Sequence, residues 1–130
     1  MAGNADVLKR GYDAFGSGDL EGAMQDFADD IRWEGPNADG LPDSGVCDGK
    51  DEVAQMFQRV VETYGEDLSV TPDEFHEDGD TVIVLGHLEG SPNGNRFKVP
   101  YAHVWRFDGG KANRMQALFD TAVVKEAVGG

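Results

Sequence analysis

The sequence predicts an α+β fold in which three N-terminal helices pack in a curved antiparallel sheet. Apolar residues recur at helical spacing along most of the first half of the chain, whereas the second half alternates polar and apolar residues. Short turns rich in glycine, asparagine and aspartate separate the alternating segments, which is typical of consecutive hairpins. A single meander provides a single sheet, so the helices have to cover one of its faces. No linker or repeat interrupts residues 1–130, and we expect one domain.

Two short helices are predicted at the N-terminus. The first spans residues 4–16, with Asn4 as its expected N-cap and a glycine at its end. Asp19 is expected to cap the second helix, whose apolar face continues as far as Ala28.

A short strand and a long irregular segment follow. Residues 30–34 alternate charged and apolar side chains, which predicts a strand with Trp33 on its buried side and Pro36 just after its end. Residues 35–49 are dominated by glycine, proline and aspartate, so we expect no regular structure there. A loop of this length is often a lid or a wall of a site, but a plain surface connection is an equally good interpretation.

A third helix and four strands complete the predicted order of elements. Residues 50–64 carry one apolar stripe, begin with acidic residues and end before a glycine, as a helix does. Strands are predicted over residues 68–75, 81–90, 96–108 and 112–124. A strongly curved sheet with helices in its concavity is cone-like and leaves room for a small-molecule cavity.

The charge of the chain excludes two classes of partner. Eleven basic and twenty-five acidic residues give a net charge of −14. A surface this negative repels nucleic acids and anionic lipid headgroups, so neither nucleic acid nor a membrane is expected as a partner. Solubility or a salt-adapted host accounts for the acidity at least as well as a function does.

Other features of the sequence predict a cytoplasmic protein without a metal. There is no apolar run of the length of a membrane span and no recognisable secretory signal. Cys47 is the single cysteine, which rules out an internal disulfide. The three histidines, His76, His87 and His103, do not have the spacing of metal ligands, so we expect no bound metal.

Several separated segments together resemble one family. Their order and spacing are similar to those of the NTF2-like (cystatin-like) superfamily, in particular its SnoaL-like and ketosteroid-isomerase-like members. The segments are Tyr12–Phe15, Gly18–Gly22, Phe27–Trp33, Gly49–Val53, Tyr101–Phe107 and Met115–Asp120. The resemblance implies a cone-shaped fold, a deep apolar pocket, no obligatory cofactor and a homodimer joined through the sheets. It specifies the fold more than the activity, because members include isomerases, cyclases, hydrolases and non-catalytic binders.

The resemblance does not extend to the catalytic residues of the steroid isomerases. Their proton-transferring aspartate corresponds to Gly35, and Glu34 one position earlier would point to the other side of the strand. Their oxyanion tyrosine falls near Gly11, with Tyr12 one step along, and the aspartic acid that assists it corresponds to His103. We therefore do not expect steroid isomerisation by that mechanism.

His103 and Asp120 are the candidate catalytic residues. Alternation groups His103 with the aromatic residues of its strand, but both faces of that strand are partly apolar, and only the resemblance directs His103 into the pocket. Burial among aromatics would lower the pKa of a histidine and keep it neutral, which suits a hydrogen-bond donor or a general acid–base. Related cyclases and hydrolases use a late-strand aspartate, so Asp120 could act as a base or orient His103. Strict alternation, however, sends Asp120 outward unless the strand bulges.

Eight further residues are expected to line the pocket, although aromatic residues at helical spacing more often belong to a core. They are Tyr12, Phe15, Trp33, Phe57, Tyr101, Trp105, Ala117 and Phe119. One hypothesis is a cofactor-independent isomerase, cyclase or hydrolase that acts on a small apolar organic molecule by acid–base chemistry. The alternative is a non-catalytic small-molecule binder or a dimeric interaction domain with the same fold.

Overall fold

The computed structural model describes residues 3–129, which form four helices, six strands and a short 3-10 turn. The elements are α1 (Asn4–Gly16), α2 (Leu20–Ala23), β1 (Phe27–Glu34), β2 (Val46–Asp48), α3 (Lys50–Tyr64), β3 (Ser69–Asp78), β4 (Thr81–Gly90), the 3-10 turn (Pro92–Gly94), β5 (Phe97–Asp108), β6 (Lys111–Phe119) and α4 (Thr121–Val128). None of the helices in residues 3–129 combines the length and the apolar character that crossing a membrane requires.

The six strands form one curved sheet in the order β2-β1-β6-β5-β4-β3. Helix α3 carries the chain from the β2 edge to the β3 edge, and the meander β3–β6 then returns until β6 lies beside β1. Strands β6 and β1 are parallel, whereas every other neighbouring pair is antiparallel. The prediction of a purely antiparallel sheet is therefore wrong at this one pair. Irregularities in register at three places, in the β1–β6, β3–β4 and β5–β6 pairs, help the sheet to bend.

The core lies between α3 and the concave face of the sheet. The apolar stripe of α3 is buried, with Val53 and Tyr64 fully enclosed. Alternate residues of β4, including Val82 and Val84, and Met115 of β6 face the same core and are equally enclosed. Period-two burial along β4 and a helical stripe on α3 are the patterns that the sequence predicted for these two elements.

Helix α2 is shorter than predicted, and β1 is longer. Asp19 caps α2 as expected, since its carboxylate accepts a hydrogen bond from the backbone N–H of Gly22. The helix nevertheless ends at Ala23, because Phe27 pairs with Ala112 of β6 and already belongs to β1. Helix α1 begins with Gly3 at its N-cap position, without a side-chain hydrogen bond, so the predicted Asn4 cap is wrong by one residue.

The last strand is also shorter than predicted. Strand β6 ends at Phe119, and Thr121–Val128 form helix α4. The carboxylate of Asp120 caps this helix and accepts a hydrogen bond from the backbone N–H of Val123 at 3.3 Å. The apolar run over residues 117–124 therefore contains a strand end and a helix start, which periodicity does not distinguish in so short a window.

Candidate active site

A cavity of about 240 Å³ lies inside the cone, bounded by the sheet, by α1 and α3 and by the loop after β1. The eight residues expected to line a pocket all lie along its wall. Their contact with a ligand stays a prediction.

An aromatic cluster makes one side of the cavity rigid. Trp33 is at its centre, with ring centroids 5.2 Å from Phe57 and 5.5 Å from Trp105, both edge-on. Phe15 of α1 meets Phe57 of α3 in the same way, at 5.3 Å. Edge-to-face contacts at these distances are favourable and hold the rings in fixed orientations.

Strand β5 contributes polar side chains to the cavity wall. Its inward face carries Tyr101, His103 and Trp105, whereas Arg106 is exposed on the opposite side. The Tyr101 ring stacks on His103 with centroids 4.0 Å apart. It occupies space above Gly86 of β4, where a Cβ atom would lie 2.6 Å from the tyrosine oxygen. A glycine in the middle of a strand thus makes room for the ring.

Three of these side chains form a hydrogen-bond chain. The indole N–H of Trp105 donates to the hydroxyl oxygen of Tyr12 at 3.0 Å, and this hydroxyl lies 2.6 Å from Nδ1 of His103. Since an indole can only donate, the hydroxyl proton of Tyr12 remains available, and Nδ1 of His103 is an acceptor within hydrogen-bond distance of it. We infer from this arrangement that Tyr12 donates to Nδ1 and that the imidazole carries its proton on Nε2.

Burial keeps both partners of this hydrogen bond neutral. It lowers the pKa of His103 to about 3, so the imidazole carries no charge near neutral pH. Burial and the nearby Tyr101 raise the pKa of Tyr12 well above its ordinary value, so its hydroxyl keeps its proton. His103 therefore presents Nε2–H, which makes no hydrogen bond within residues 3–129 and is not fully enclosed.

A second polar group in the cavity has no partner. Tyr101 is 4% exposed, and among residues 3–129 its hydroxyl is the one buried side-chain polar atom without a hydrogen bond. Leaving such a group unpaired costs about 1–3 kcal/mol, which a bound molecule could recover. Nε2–H of His103 is thus the accessible donor on this side of the cavity, and the Tyr101 ring, with its enclosed hydroxyl, is stacked beside it.

Asp120 does not join this arrangement. It is exposed at the start of α4, is not part of the cavity wall, and makes no hydrogen bond to His103. The predicted His103–Asp120 contact is therefore not formed, because the strand ends at Phe119 and leaves the carboxylate to cap a helix.

The structure instead brings a carboxylate from the loop after β1 to the cavity. Asp43 is half-buried, lines the cavity and accepts a hydrogen bond from the hydroxyl of Tyr64 at 2.8 Å. The sequence does not predict this position of Asp43, because a glycine- and proline-rich loop has no periodicity that indicates where a side chain points. Glu34 lies on the outer face, paired with Arg32 and Arg114, as expected from strand alternation.

No group of three or more histidine, cysteine, aspartate or glutamate side chains in residues 3–129 is arranged to hold a metal ion.

The cone-shaped α+β fold with its internal cavity is the NTF2-like (cystatin-like) fold. An NTF2-like protein of unknown function from Burkholderia pseudomallei is 33% identical over 100% of both chains, with a TM-score of 0.90. An NTF2-like protein from Burkholderia thailandensis is 31% identical over 98% of each chain, with a TM-score of 0.88. TerC, which was co-crystallised with polyporic acid, is 28% identical over 98% of each chain, with a TM-score of 0.87.

The family model of the SnoaL-like domain matches residues 8–115, and the chain belongs to this family. The match includes α1 from Leu8 onward, the whole of α3 and all of β5, which together contribute Tyr12, Phe57 and His103 to the cavity. A comparison with curated proteins found no match.

Proposed function

We propose that the protein binds a small, neutral, largely apolar organic molecule that carries an acceptor oxygen, and that it acts on this molecule by acid–base chemistry without a cofactor. The reaction class is that of an isomerase, cyclase or hydrolase. The hydrogen-bond chain from Trp105 through Tyr12 to His103 carries the proposal, because it holds a neutral imidazole with its Nε2–H facing an aromatic cavity.

The walls of the cavity favour a neutral ligand over an anion. A carboxylate that entered would lose its hydration, and the neutral His103 would provide no compensating charge. The net charge of −14 also repels anions as they approach. A carbonyl oxygen, in contrast, needs only one donor, and Nε2–H of the neutral His103 can serve as that donor.

A comparison of two probes of similar size tests the proposed ligand. β-Tetralone is a neutral bicyclic ketone, and β-naphthoate is its anionic counterpart. We expect β-tetralone to bind at least about tenfold more tightly, as measured by quenching of tryptophan fluorescence. Equal or tighter binding of β-naphthoate would contradict the proposal.

A pair of variants tests the role of His103 in binding. His103→Phe removes the donor, keeps an aromatic ring and should raise the Kd for β-tetralone about fivefold, the value of one hydrogen bond. His76→Phe is the matched control, because His76 is exposed on β3 and does not line the cavity. If the two variants bind β-tetralone equally well, His103 is not the donor.

Non-catalytic binding is the second candidate function. The position of Asp120 outside the cavity favours it, since His103 then lacks the carboxylate expected to complete an acid–base pair. The co-crystallisation of TerC with polyporic acid is consistent with ligand binding in this family and does not separate the two candidates. Retention of a probe without any chemical change would support the binder.

We also propose a homodimer joined through the outer face of the sheet. Leu118 is 60% exposed and Ile83 is 38% exposed on this face, and both would be covered by a second copy. Leu118→Glu should then convert a dimer to a monomer in light scattering, whereas a monomeric wild type would contradict the proposal.

A further inference from the structure

The loop between β1 and β2 is fixed against the end of β1. The backbone N–H of Gly35 donates to the carbonyl of Gly45 at 2.8 Å, and that of Gly45 donates to the carbonyl of Pro36 at 3.0 Å. The side chain of Leu41, which belongs to this loop, is buried. Two backbone hydrogen bonds and an apolar anchor give the loop a defined position, so it can serve as a wall of the cavity.

The backbone of Asp43 occupies the space that a side chain at position 35 would need. A Cβ atom on Gly35 would lie 1.8 Å from the carbonyl oxygen of Asp43. Gly35 directly follows the end of β1, two residues after Trp33 of the cavity wall. The glycine therefore allows the loop to bring a different residue, Asp43, to the cavity wall.

The carboxylate of Asp43 has one hydrogen-bonded oxygen and one that is available. Oδ1 accepts from the hydroxyl of Tyr64, whose side chain is fully buried at the end of α3. Oδ2 accepts no hydrogen bond from another residue, and the carboxylate is paired with no cation, within residues 3–129. Burial raises the pKa of Asp43, and the hydrogen bond from Tyr64 opposes this in part. A desolvated carboxylate without a counter-ion is a stronger proton acceptor than an exposed one.

The other carboxylates on the cavity wall have different partners. Asp19 is exposed and caps α2, and Asp26 lies 4.0 Å from the ammonium group of Lys111. Asp43 is therefore the carboxylate of the wall that combines partial burial with the absence of a cation partner within residues 3–129.

We propose that Asp43 is the catalytic base of this cavity and that Tyr64 is its positioning residue. Oδ2 takes a proton from a carbon next to the carbonyl group of the ligand. The electrons of the broken C–H bond form a C=C bond, and the carbonyl π electrons move to the oxygen, which stays hydrogen-bonded to Nε2–H of His103. The protonated Asp43 then returns the proton to the same carbon or to another one. This inference rests on the proposed function, because His103 has to hold the carbonyl oxygen.

Hydrogen–deuterium exchange on β-tetralone tests the inference. In D₂O, NMR follows the loss of the protons next to the carbonyl group, and fluorescence gives the Kd separately. We expect the wild type to accelerate exchange above the buffer rate, and Asp43→Asn to reduce this acceleration at saturation at least about a hundredfold while the Kd changes by less than about twofold. Asp120→Asn, the matched control on α4, should exchange as the wild type does.

Tyr64→Phe keeps the Asp43 carboxylate and serves as the second variant should Asp43→Asn not fold. It removes the hydrogen bond to Oδ1, so we expect a several-fold lower exchange rate at saturation with an unchanged Kd. A purely structural effect would instead weaken binding and lower the melting temperature together.

The outcomes separate the inference from the function on which it rests. If β-tetralone does not bind to the wild type, the proposed function fails, and the role of Asp43 fails with it. If β-tetralone binds without accelerated exchange, or if Asp43→Asn exchanges at the wild-type rate, the base is wrong and ligand binding stands.

Discussion

The two walls of the cavity that carry its polar groups are built in different ways. Strand β5 presents His103 through regular alternation, and a ladder of hydrogen bonds to β4 and β6 holds it on both sides. The loop after β1 presents Asp43 through an irregular backbone, held by two hydrogen bonds and a close approach to Gly35. The position of the strand wall is therefore set by backbone hydrogen bonds on both sides, whereas that of the loop wall depends on the close approach of Asp43 to Gly35.

A single substitution should displace the loop wall more readily than the strand wall. Gly35→Ala places a methyl group where the carbonyl oxygen of Asp43 now lies, so the loop has to move away from β1. We expect the free energy of unfolding to fall by about 3 kcal/mol in urea titrations followed by tryptophan fluorescence.

Gly16→Ala is the control for this change. A Cβ atom on Gly16 meets nothing within 4 Å, and alanine is the better helix former at the end of α1. Its stability should be unchanged or slightly higher. Equal stability of Gly35→Ala and the wild type would show that the loop is not held in this position.

His103 of the strand wall should make the free energy of unfolding depend on pH. The pKa of His103 is about 3 in the folded protein, below its ordinary value of about 6.5, so below that value the unfolded chain binds more protons than the folded one. Protonation then favours unfolding, and His103 should cost about 2 kcal/mol of stability between roughly pH 7.5 and pH 5.

The matched variant for the pH effect is His103→Gln, which has no titratable group at this position. Over the same pH range, the free energy of unfolding of this variant should fall by about 2 kcal/mol less than that of the wild type. Parallel pH curves for the two proteins would mean that His103 is not buried as a neutral group.

The smallest expected effect lies outside both walls. Asp120→Ala removes the cap of α4 and should lower the free energy of unfolding by about 1 kcal/mol, with an unchanged Kd for β-tetralone. Glu126→Ala, at an exposed site of the same helix, should change neither value. A weaker Kd for Asp120→Ala would return Asp120 to the candidate site.

The contrast between the walls explains what could be predicted from the sequence. Alternation placed Tyr101, His103 and Trp105 on one face of β5, and this face lies inside the cone. The bounds of α3 and β4 follow from an apolar stripe and from turn residues, and the structure confirms them. These signals are local, so one sequence is enough to detect them.

The remaining features depend on contacts between distant residues. Phe27 leaves the helical pattern of α2 because it pairs with Ala112, which is far along the chain. Asp43 reaches the cavity because the hydroxyl of Tyr64 donates a hydrogen bond to its carboxylate and because Gly35 leaves space for its backbone carbonyl. No local pattern around any of these residues indicates the partner that decides its position.

The proposed function depends most directly on a neutral His103 that has its proton on Nε2 and its Nδ1 towards the hydroxyl of Tyr12. ¹⁵N NMR of the imidazole nitrogens measures this directly, and His103→Gln identifies the signals. We expect a protonated Nε2 and an unprotonated Nδ1 throughout roughly pH 5 to 8. A transition of His103 to the doubly protonated imidazolium within this range, or a proton on Nδ1 instead of Nε2, would contradict it.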